Sequence, residues 1–179
     1  MTTINLIVAC DLEGGIGLLN QLPWPALQED MQWFKKHTIN NICIMGSNTW
    51  RSLPDAYRPL PDRINVVFSS KSDINYNADV VLNGGRNAAA VSYLTAKYPN
   101  KDIYIIGGKT MYEKWLPDVD FIHITQIKST FNCDTFLDIK SLLNGCSLKY
   151  NKQAVWHFQK EPTHRVIPYS METYECNNT

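Results

Sequence analysis

The 179-residue sequence contains no apolar run long enough to cross a bilayer. It has no net charge either, because 17 Lys and Arg offset 17 Asp and Glu. Without a basic field there is nothing to gather a polyanion, which argues against a nucleic-acid-binding module, a local basic pocket aside. The five cysteines leave an odd one and form no C-x-x-C pair; Cys10 and Cys43 sit inside apolar runs, and the cysteines are read as buried thiols. His37, His123, His157 and His164 lack metal-ligand spacing, so structural or surface roles are expected and no metal. There is no Gly-x-Ser-x-Gly motif and no Ser/His/Asp set. Neither G-x-G-x-x-G after the first strand nor G-x-x-x-x-G-K-[ST] anywhere is present. Internal repeats, low-complexity tracts and linkers are absent. The opening MTTINLIVACD lacks a cationic region, and its apolar run is too short for a signal peptide; a reducing cytoplasm is expected.

What remains is ordinary globular material, 44% apolar and 19% charged, enough for one domain over residues 1–179 with a sizeable core. Short apolar runs at Ile4 to Cys10, Ile42 to Met45, Ile64 to Phe68, Asp79 to Leu82 and Ile103 to Ile106 read as strands. Between them lie helical stretches: Leu27 to His37, a short one through Trp50 and Ser52 with N-cap chemistry at Ser47, Asn48 and Thr49, Asn87 to Tyr98, and Thr110 to Trp115. The face of the third carries Ala88, Val91, Leu94 and Thr95. After Phe121 the pattern is strand on strand: Phe121 to Ile127, Val155 to Gln159 and Ser170 to Cys176, with Glu161 to Pro168 as a proline-bearing connection. The expectation is a single α/β domain around a mixed, mostly parallel eight-stranded sheet, flanked by about four helices, with antiparallel strands added at one edge. In such sheets ligands gather at the carboxyl ends of the strands. Here those ends are Asp11 to Gly17, Gly46 to Thr49, Ser69 to Lys71 and Gly107 to Lys109, and two of them lead into helix starts suited to phosphate.

The stretch from Gly14 to Asp30, GGIGLLNQLPWPALQED, passes from a glycine- and proline-bearing loop into a helix. Leu27, Asp30, Met31 and Phe34 fall at i, i+3, i+4 and i+7 and share one face. An acid within an apolar stripe admits two explanations. It is either a first-turn carboxylate favoured by the helix dipole and partly solvated, or one that awaits a ligand with complementary donors. Gly107-Gly108 and Gly46-Ser47-Asn48-Thr49 are each weak evidence of close backbone approach, since many strand–helix turns use glycine. Two such turns in one sheet favour a dinucleotide over either alone. Arg58 and Arg63, in RPLPDR, suit bidentate capture of a carboxylate, with ordinary surface arginine as the equal alternative. Lys71 either meets a phosphate or is solvated. Trp24, in a proline-bounded loop, is poorly placed for a purely structural tryptophan, whereas Phe34, Trp50 and Tyr112 would also suit plain core.

Taken together these residues resemble dihydrofolate reductase nearly end to end. The family's Ile-Gly-x-x-x-x-Leu-Pro-Trp is Ile16 to Trp24; its acidic helix is Glu29-Asp30-Met31-Gln32-Trp33-Phe34-Lys35. Met-Gly-x-x-Thr-Trp-x-Ser is Met45 to Ser52, Arg-Pro-Leu-Pro-x-Arg is Arg58 to Arg63, and Ile-Gly-Gly-x-x-x-Tyr is Ile106 to Tyr112. Thr125 is the late strand threonine and Asp134-Thr135 the Asp-Thr pair. Each piece is modest; together, in order and at compatible spacings, they are specific.

The resemblance implies hydride transfer from NADPH to C6 of dihydrofolate with a proton added at N5, yielding the tetrahydrofolate that supports thymidylate, purine and glycine synthesis. It gives Asp30 to the pterin N3 and 2-amino group, with the N5 proton delivered by a water rather than by Asp30 itself. It implies that burial raises the Asp30 pKa, that Thr125 braces that side of the pterin, and that Trp24 orders a nearby water. Phe34, Leu53 and Leu60 would wall the folate, and Arg63 would pair with its α-carboxylate. Val8 and Ile106 would meet an inhibitor's 4-amino group, and Ala9, Ile16, Gly17, Leu22 and Thr49 the nicotinamide, Leu22 facing substrate as well. Thr49, Gly107, Gly108, Lys109, Thr110, Met111 and Tyr112 would form the pyrophosphate turn across a cis Gly107-Gly108 peptide. The cofactor site would be completed by Gly46, Ser47, Asn48, Phe68, Ser69, Ser70 and Lys71. The loop from Glu13 to Trp24 would close over the nicotinamide. Antifolates such as methotrexate or trimethoprim are implied ligands, and a monomer the expected state. Two departures bear on the cofactor. Many relatives carry Arg or Lys where Ser47 stands, and a third glycine or an Arg where Lys109 and Thr110 stand, which leaves the 2′-phosphate to Ser70 and Lys71 with help from Arg86. The insertion Asp55-Ala56-Tyr57 would alter the folate tail groove. Two other functions stay open on the residues alone. One is a pyrimidine reductase of the same architecture, against which the Leu-Pro-Trp loop and Asp30 speak. The other is a non-catalytic binding protein, whose signature would be cofactor binding without turnover.

Overall fold

The computed structural model describes residues 1–71, 76–160 and 163–177. Its ten strands are β1 (Ile4–Cys10), β2 (Gly15–Gly17), β3 (Ile42–Gly46), β4 (Ile64–Phe68), β5 (Val80–Leu82), β6 (Ile103–Gly107), β7 (Phe121–Ile127), β8 (Thr135–Phe136), β9 (Cys146–Lys160) and β10 (Thr163–Cys176). Five α-helices accompany them: α1 (Gln28–Thr38), α2 (Ser47–Ser52), α3 (Asn87–Lys97), α4 (Lys109–Trp115) and α5 (Ile139–Leu142). One eight-stranded sheet runs β5-β4-β3-β6-β1-β7-β10-β9. All pairs from β5 to β7 are parallel, and β10 meets β7 and β9 antiparallel. The mixed sheet expected from the sequence is therefore observed, with one more helix than the four anticipated.

Alternation along the central strands sends their side chains to two different cores. On one face Leu6, Val8, Ile42, Ile44, Val66, Ile103, Ile105, Ile122 and Ile124 pack against Ala90 and Leu94 of α3 and Met111, Tyr112 and Trp115 of α4. Residues of the opposite face divide into two smaller clusters. Ala9 and Ile127 pack with Trp24, Leu27 and Trp33, and Cys43, Met45 and Val67 with Trp50 and Leu60. The α3 stripe is centred on Ala90 and Leu94, and Ala88, expected inside, is exposed.

The largest departure lies at the antiparallel edge. β9 and β10 are 15 and 14 residues long and pair from Cys146↔Cys176 to Thr163↔Lys160, so that Pro168 is inside a strand rather than in a connection. Pro168 lies where β7 has ended, and its carbonyl accepts the Lys128 N–H instead. Glu161 and Pro162, also assigned to that connection, lie outside the described residues. The register sets Cys146 opposite Cys176, Cα atoms 4.1 Å apart, joined as a disulfide; Cys10, Cys43 and Cys133 are free. Reading every cysteine as a thiol is corrected for that pair, whose partners are far apart in sequence and adjacent only through the ladder. No helix among the described residues is long and apolar enough to cross a membrane, and none of them form a His, Cys, Asp and Glu group suited to a metal.

Candidate active site

Four parallel strand ends open onto one cleft of about 620 Å³. β1 contributes Val8 and Ala9; the β3–α2 turn Gly46, Ser47, Asn48, Thr49 and Ser52; β4 Phe68, Ser69 and Ser70; the β6–α4 turn Ile106 through Tyr112. The loop after β1 lays Ile16, Gly17, Asn20, Gln21 and Leu22 across it, and Thr135 joins from β8. The Gly107-Gly108 peptide is cis, as the resemblance implied. Gly107 has φ +121°, and a Cβ there would stand 3.2 Å from the Tyr112 hydroxyl and 3.5 Å from Thr49 Oγ1, so only glycine suits the turn. Tyr112 Oη donates to the Ile7 carbonyl at 2.9 Å, and burial pushes the phenol well above its ordinary pKa. The helices after both turns have only six and seven residues. Any anion here therefore meets first-turn N–H groups and hydroxyls rather than the dipole of a long helix.

Asp30 and Thr125 do not line that cleft, but Ala9, which does, is the register partner of Thr125. Asp30 occupies the first turn of α1, its carboxyl enclosed by protein while the residue keeps a partly open side. Burial raises its pKa above the usual carboxylate range, and the neighbouring Thr125 hydroxyl opposes that rise. Thr125 is only 1% exposed, and its Oγ1 has no hydrogen-bond partner of normal geometry. An orphaned buried hydroxyl next to a half-open acid is unusual in a finished core and fits a ligand that carries hydrogen-bonding groups of its own. Phe34, Leu53 and Ile106 pack around Leu60, Trp50 and Met45 to form an apolar wall.

The structure separates the two candidate arginines. Arg58 pairs with Asp55 at 2.5 Å. Arg63 is in no ion pair among the described residues, yet it is fixed: Nε donates to the Pro61 carbonyl at 2.8 Å, Nη1 donates to Thr38 Oγ1 at 3.2 Å, and the guanidinium stands 5.9 Å over the Phe34 ring. Partial burial lowers its pKa.

Some expectations change. The α1 stripe does not face the core: Leu27 is buried but precedes the helix, Met31 is 53% exposed, and Thr38 is the buried helix residue. Asp30 is half-buried, with its carboxyl beside the Thr125 hydroxyl. Lys71 does not line the cleft; its N–H donates to Ser69 Oγ at 3.0 Å. Arg86 precedes α3 and does not line it either. Trp24 is 5% exposed and packs edge-on against Phe131, so it is core as well as loop. Asn20, Gln21, Ser52 and Thr135 were not assigned to the site from the sequence, although Asn20 and Gln21 lie in the loop expected to close over the nicotinamide and Ser52 and Thr135 lie in quoted motifs. Sequence reasoning also missed Asp11, which has 0% exposure and accepts the N–H groups of Glu13 at 2.9 Å, Gly15 at 2.7 Å and Phe131 at 3.0 Å. With Asp134 accepting the Leu19 N–H at 2.8 Å, it fixes the loop that covers the cleft.

A mostly parallel sheet whose strand ends open onto a cleft lined by hydroxyls and close-approach glycines is the arrangement of an α/β protein that binds a dinucleotide. Comparison with known proteins narrows this class. The family model described as dihydrofolate reductase matches residues 3–174. Dihydrofolate reductase type 9 of Escherichia coli is 38% identical over 142 residues, 78% of each chain. The bifunctional dihydrofolate reductase-thymidylate synthase of Glycine max is 34% identical over 185 residues, 96% of this chain and 33% of that protein, so the chain spans about a third of its length. Among solved structures, dihydrofolate reductase from Enterococcus faecalis complexed with NADP(H) and RAB-propyl superposes with a TM-score of 0.74 at 26% identity, covering 98% of this chain and 96% of that one. The chain belongs to the dihydrofolate reductase family.

Proposed function

We propose that this chain reduces 7,8-dihydrofolate to 5,6,7,8-tetrahydrofolate with NADPH, and that Asp30 is the residue around which the substrate is oriented. The observation that carries this is the pairing of a half-open, burial-raised carboxyl with the orphaned Thr125 hydroxyl, whose register partner Ala9 lines the cleft of about 620 Å³. NADPH, when bound, supplies the hydride delivered to C6. The residues of the cleft fit that group: hydroxyls and amides at Ser47, Asn48, Thr49, Ser69 and Ser70, and the close-approach glycines Gly107 and Gly108.

The chain's own contribution is orientation and exclusion of water. The Asp30 carboxylate accepts from the planar N–H donor pair of the pterin, a bidentate fit that sets which ring face meets the cofactor. Thr125 holds the same edge. Phe34, Leu53, Leu60 and the exposed Met31 wall the remainder, and Arg63, unpaired and pre-positioned, takes the α-carboxylate. The loop held by Asp11 and Asp134 covers the nicotinamide side through Ile16 and Leu22. A solvent molecule, ordered near Trp24, carries the proton to N5. Methotrexate and trimethoprim, as planar donor pairs, compete for Asp30. The chain acts as a one-domain monomer in the cytoplasm.

The test is the decay of NADPH absorbance with dihydrofolate for wild type and Asp30→Asn at neutral pH. Turnover by the wild type and a loss of at least about a hundredfold in the variant are expected, the scale of a lost charge-assisted contact in the transition state. Equal rates would remove Asp30 from the mechanism and leave the reaction intact.

A further inference from the structure

The β9–β10 hairpin holds a pair of groups that no role above uses. His157 and His164 are seven positions apart in the sequence, a spacing that fits no ligand motif. The antiparallel ladder changes that. His157 is the register partner of Val166, and His164 that of Gln159, so the two histidines are diagonal neighbours across the strands. Because side chains alternate, both lie on one face of the hairpin, opposite the face on which Phe158, Ile167 and Tyr169 are buried. Their rings stand 5.7 Å apart, centre to centre, with 30° between their planes. Both residues are exposed, as are Val155 and Val166 on the same face. The other two histidines are placed differently. Both ring nitrogens of His123 have partners, Thr173 Oγ1 and Asn5 Oδ1, and His37 Nε2 is enclosed by protein.

Imidazole is the donor of choice for borderline transition cations. An ion held about 2.0–2.1 Å from one nitrogen of each ring lies about 3 Å from each ring centre, which sets the centres of two such rings about 4.5–5.5 Å apart. The observed separation is slightly wider than that range, and a small rotation of exposed side chains closes the difference. Two protein donors do not make a closed structural centre, and no group of three or more is present among the described residues. Water would complete the shell and leave the ion exchangeable.

We infer that His157 and His164 form a cross-strand chelate for a divalent first-row transition cation of the Co²⁺, Ni²⁺ and Cu²⁺ class. The ion would join β9 to β10 at the end of the hairpin remote from the Cys146–Cys176 disulfide, so that the two longest strands are linked near both ends. One link is made within the chain, whereas the other follows the supply of the ion. Hard cations such as Mg²⁺, which take oxygen ligands, do not suit the pair. The inference is independent of the reductase function, since neither histidine lines the cleft.

The experiment is calorimetric titration of the full, untagged chain with Ni²⁺, Co²⁺ and Mg²⁺, beside thermal melts with and without Ni²⁺. Wild type is compared with His157→Gln and His164→Gln, both substitutions at exposed positions. One Ni²⁺ per chain is expected, with Co²⁺ weaker and Mg²⁺ not bound. Either substitution should weaken Ni²⁺ by at least about tenfold, because the second imidazole of a chelate acts at high effective concentration. Ni²⁺ should raise the melting temperature of the wild type and leave both variants where they were. Two equal sites per chain, with each substitution removing one and leaving the affinity of the other unchanged, would mean two separate surface imidazoles and overturn the chelate. A wild type that takes no Ni²⁺, or an affinity that survives both substitutions, would overturn it as well.

Discussion

The face of the sheet under α3 and α4 presents Leu6, Ile44, Val66, Ile105 and Ile122 at each turn of the pleat, whereas the face under α1 presents Asn5, Asn65, Tyr104, His123 and Thr125. Both are buried, and both belong to the same strands. On the first face dispersion and burial do the work, and Trp115, at 0% exposure and edge-on to Phe68, fills its centre. On the second, polar groups must find partners. His123 Nδ1 meets Thr173 Oγ1 at 2.9 Å, His123 Nε2 meets Asn5 Oδ1 at 3.3 Å, and the rings of His37 and His123 stand 4.0 Å apart. Further along the same face, toward the strand ends, Thr125 has none. The contrast separates what stabilises the fold from what the fold is for: polar groups appear where a ligand or a network can meet them.

The comparison can be broken hardest on the dry side. Trp115→Ala should cost about 3–5 kcal/mol, because the cavity it leaves is walled by a close-packed core. Urea unfolding measures it, and a cost under 1 kcal/mol would mean that this face is not the stabilising one.

Acid tests the wet face. Burial, with the His37 ring adding to it, lowers the His123 pKa from 6.5 to about 3. The unfolded chain takes up that proton near pH 6.5 while the folded one refuses it, so stability is complete above pH 6.5 and falls as the pH drops toward 3. Between pH 6.5 and 5 the loss should be about 1–2 kcal/mol. Unfolding free energies against pH, with His123→Gln flattening the slope, provide the measurement. Asp30 has the opposite sign: its raised carboxyl costs stability as pH climbs past the ordinary carboxylate range, so Asp30→Asn should lose activity yet unfold no more easily at pH 7.

The smallest stability effect belongs to the orphan. Thr125→Val removes a buried hydroxyl that has no partner and should shift stability by under about 1 kcal/mol. The KM for dihydrofolate should rise all the same. A large loss of stability would show that the hydroxyl is bonded within the protein after all.

Much of this was legible in the sequence for a physical reason. Runs such as Ile4 to Cys10 and Ile64 to Phe68 are buried on both faces, so they are apolar apart from Asn5 and Asn65 and their limits are visible. The cis turn at Gly107 was legible only through the family resemblance, since many strand–helix turns use glycine. The first half of β9 was not, because its residues from Cys146 to Gln153 lie at the outer edge, mostly exposed, and carry no alternation strong enough to see; only Val155 to Gln159 was read as strand. The α1 stripe misled, since apolar residues facing a ligand groove and apolar residues facing a core have the same spacing; Met31 and Leu27 look alike until exposure is known. The Asp11 clasp was silent because its third donor is 120 residues away.

The strand order has a consequence for how the chain is made. β1 lies in the middle of the sheet, and its neighbours are β6 and β7: Ile4 pairs with Ile103, and Asn5 with Phe121. β1 thus waits for partners made about a hundred residues later. At translation speeds of roughly 5–20 residues per second, an apolar strand stays unpaired for about 5–20 s. During that interval its edges are open to any passing strand, and a ribosome stalled before codon 103 would present a protease- and chaperone-sensitive chain rather than a half-built enzyme.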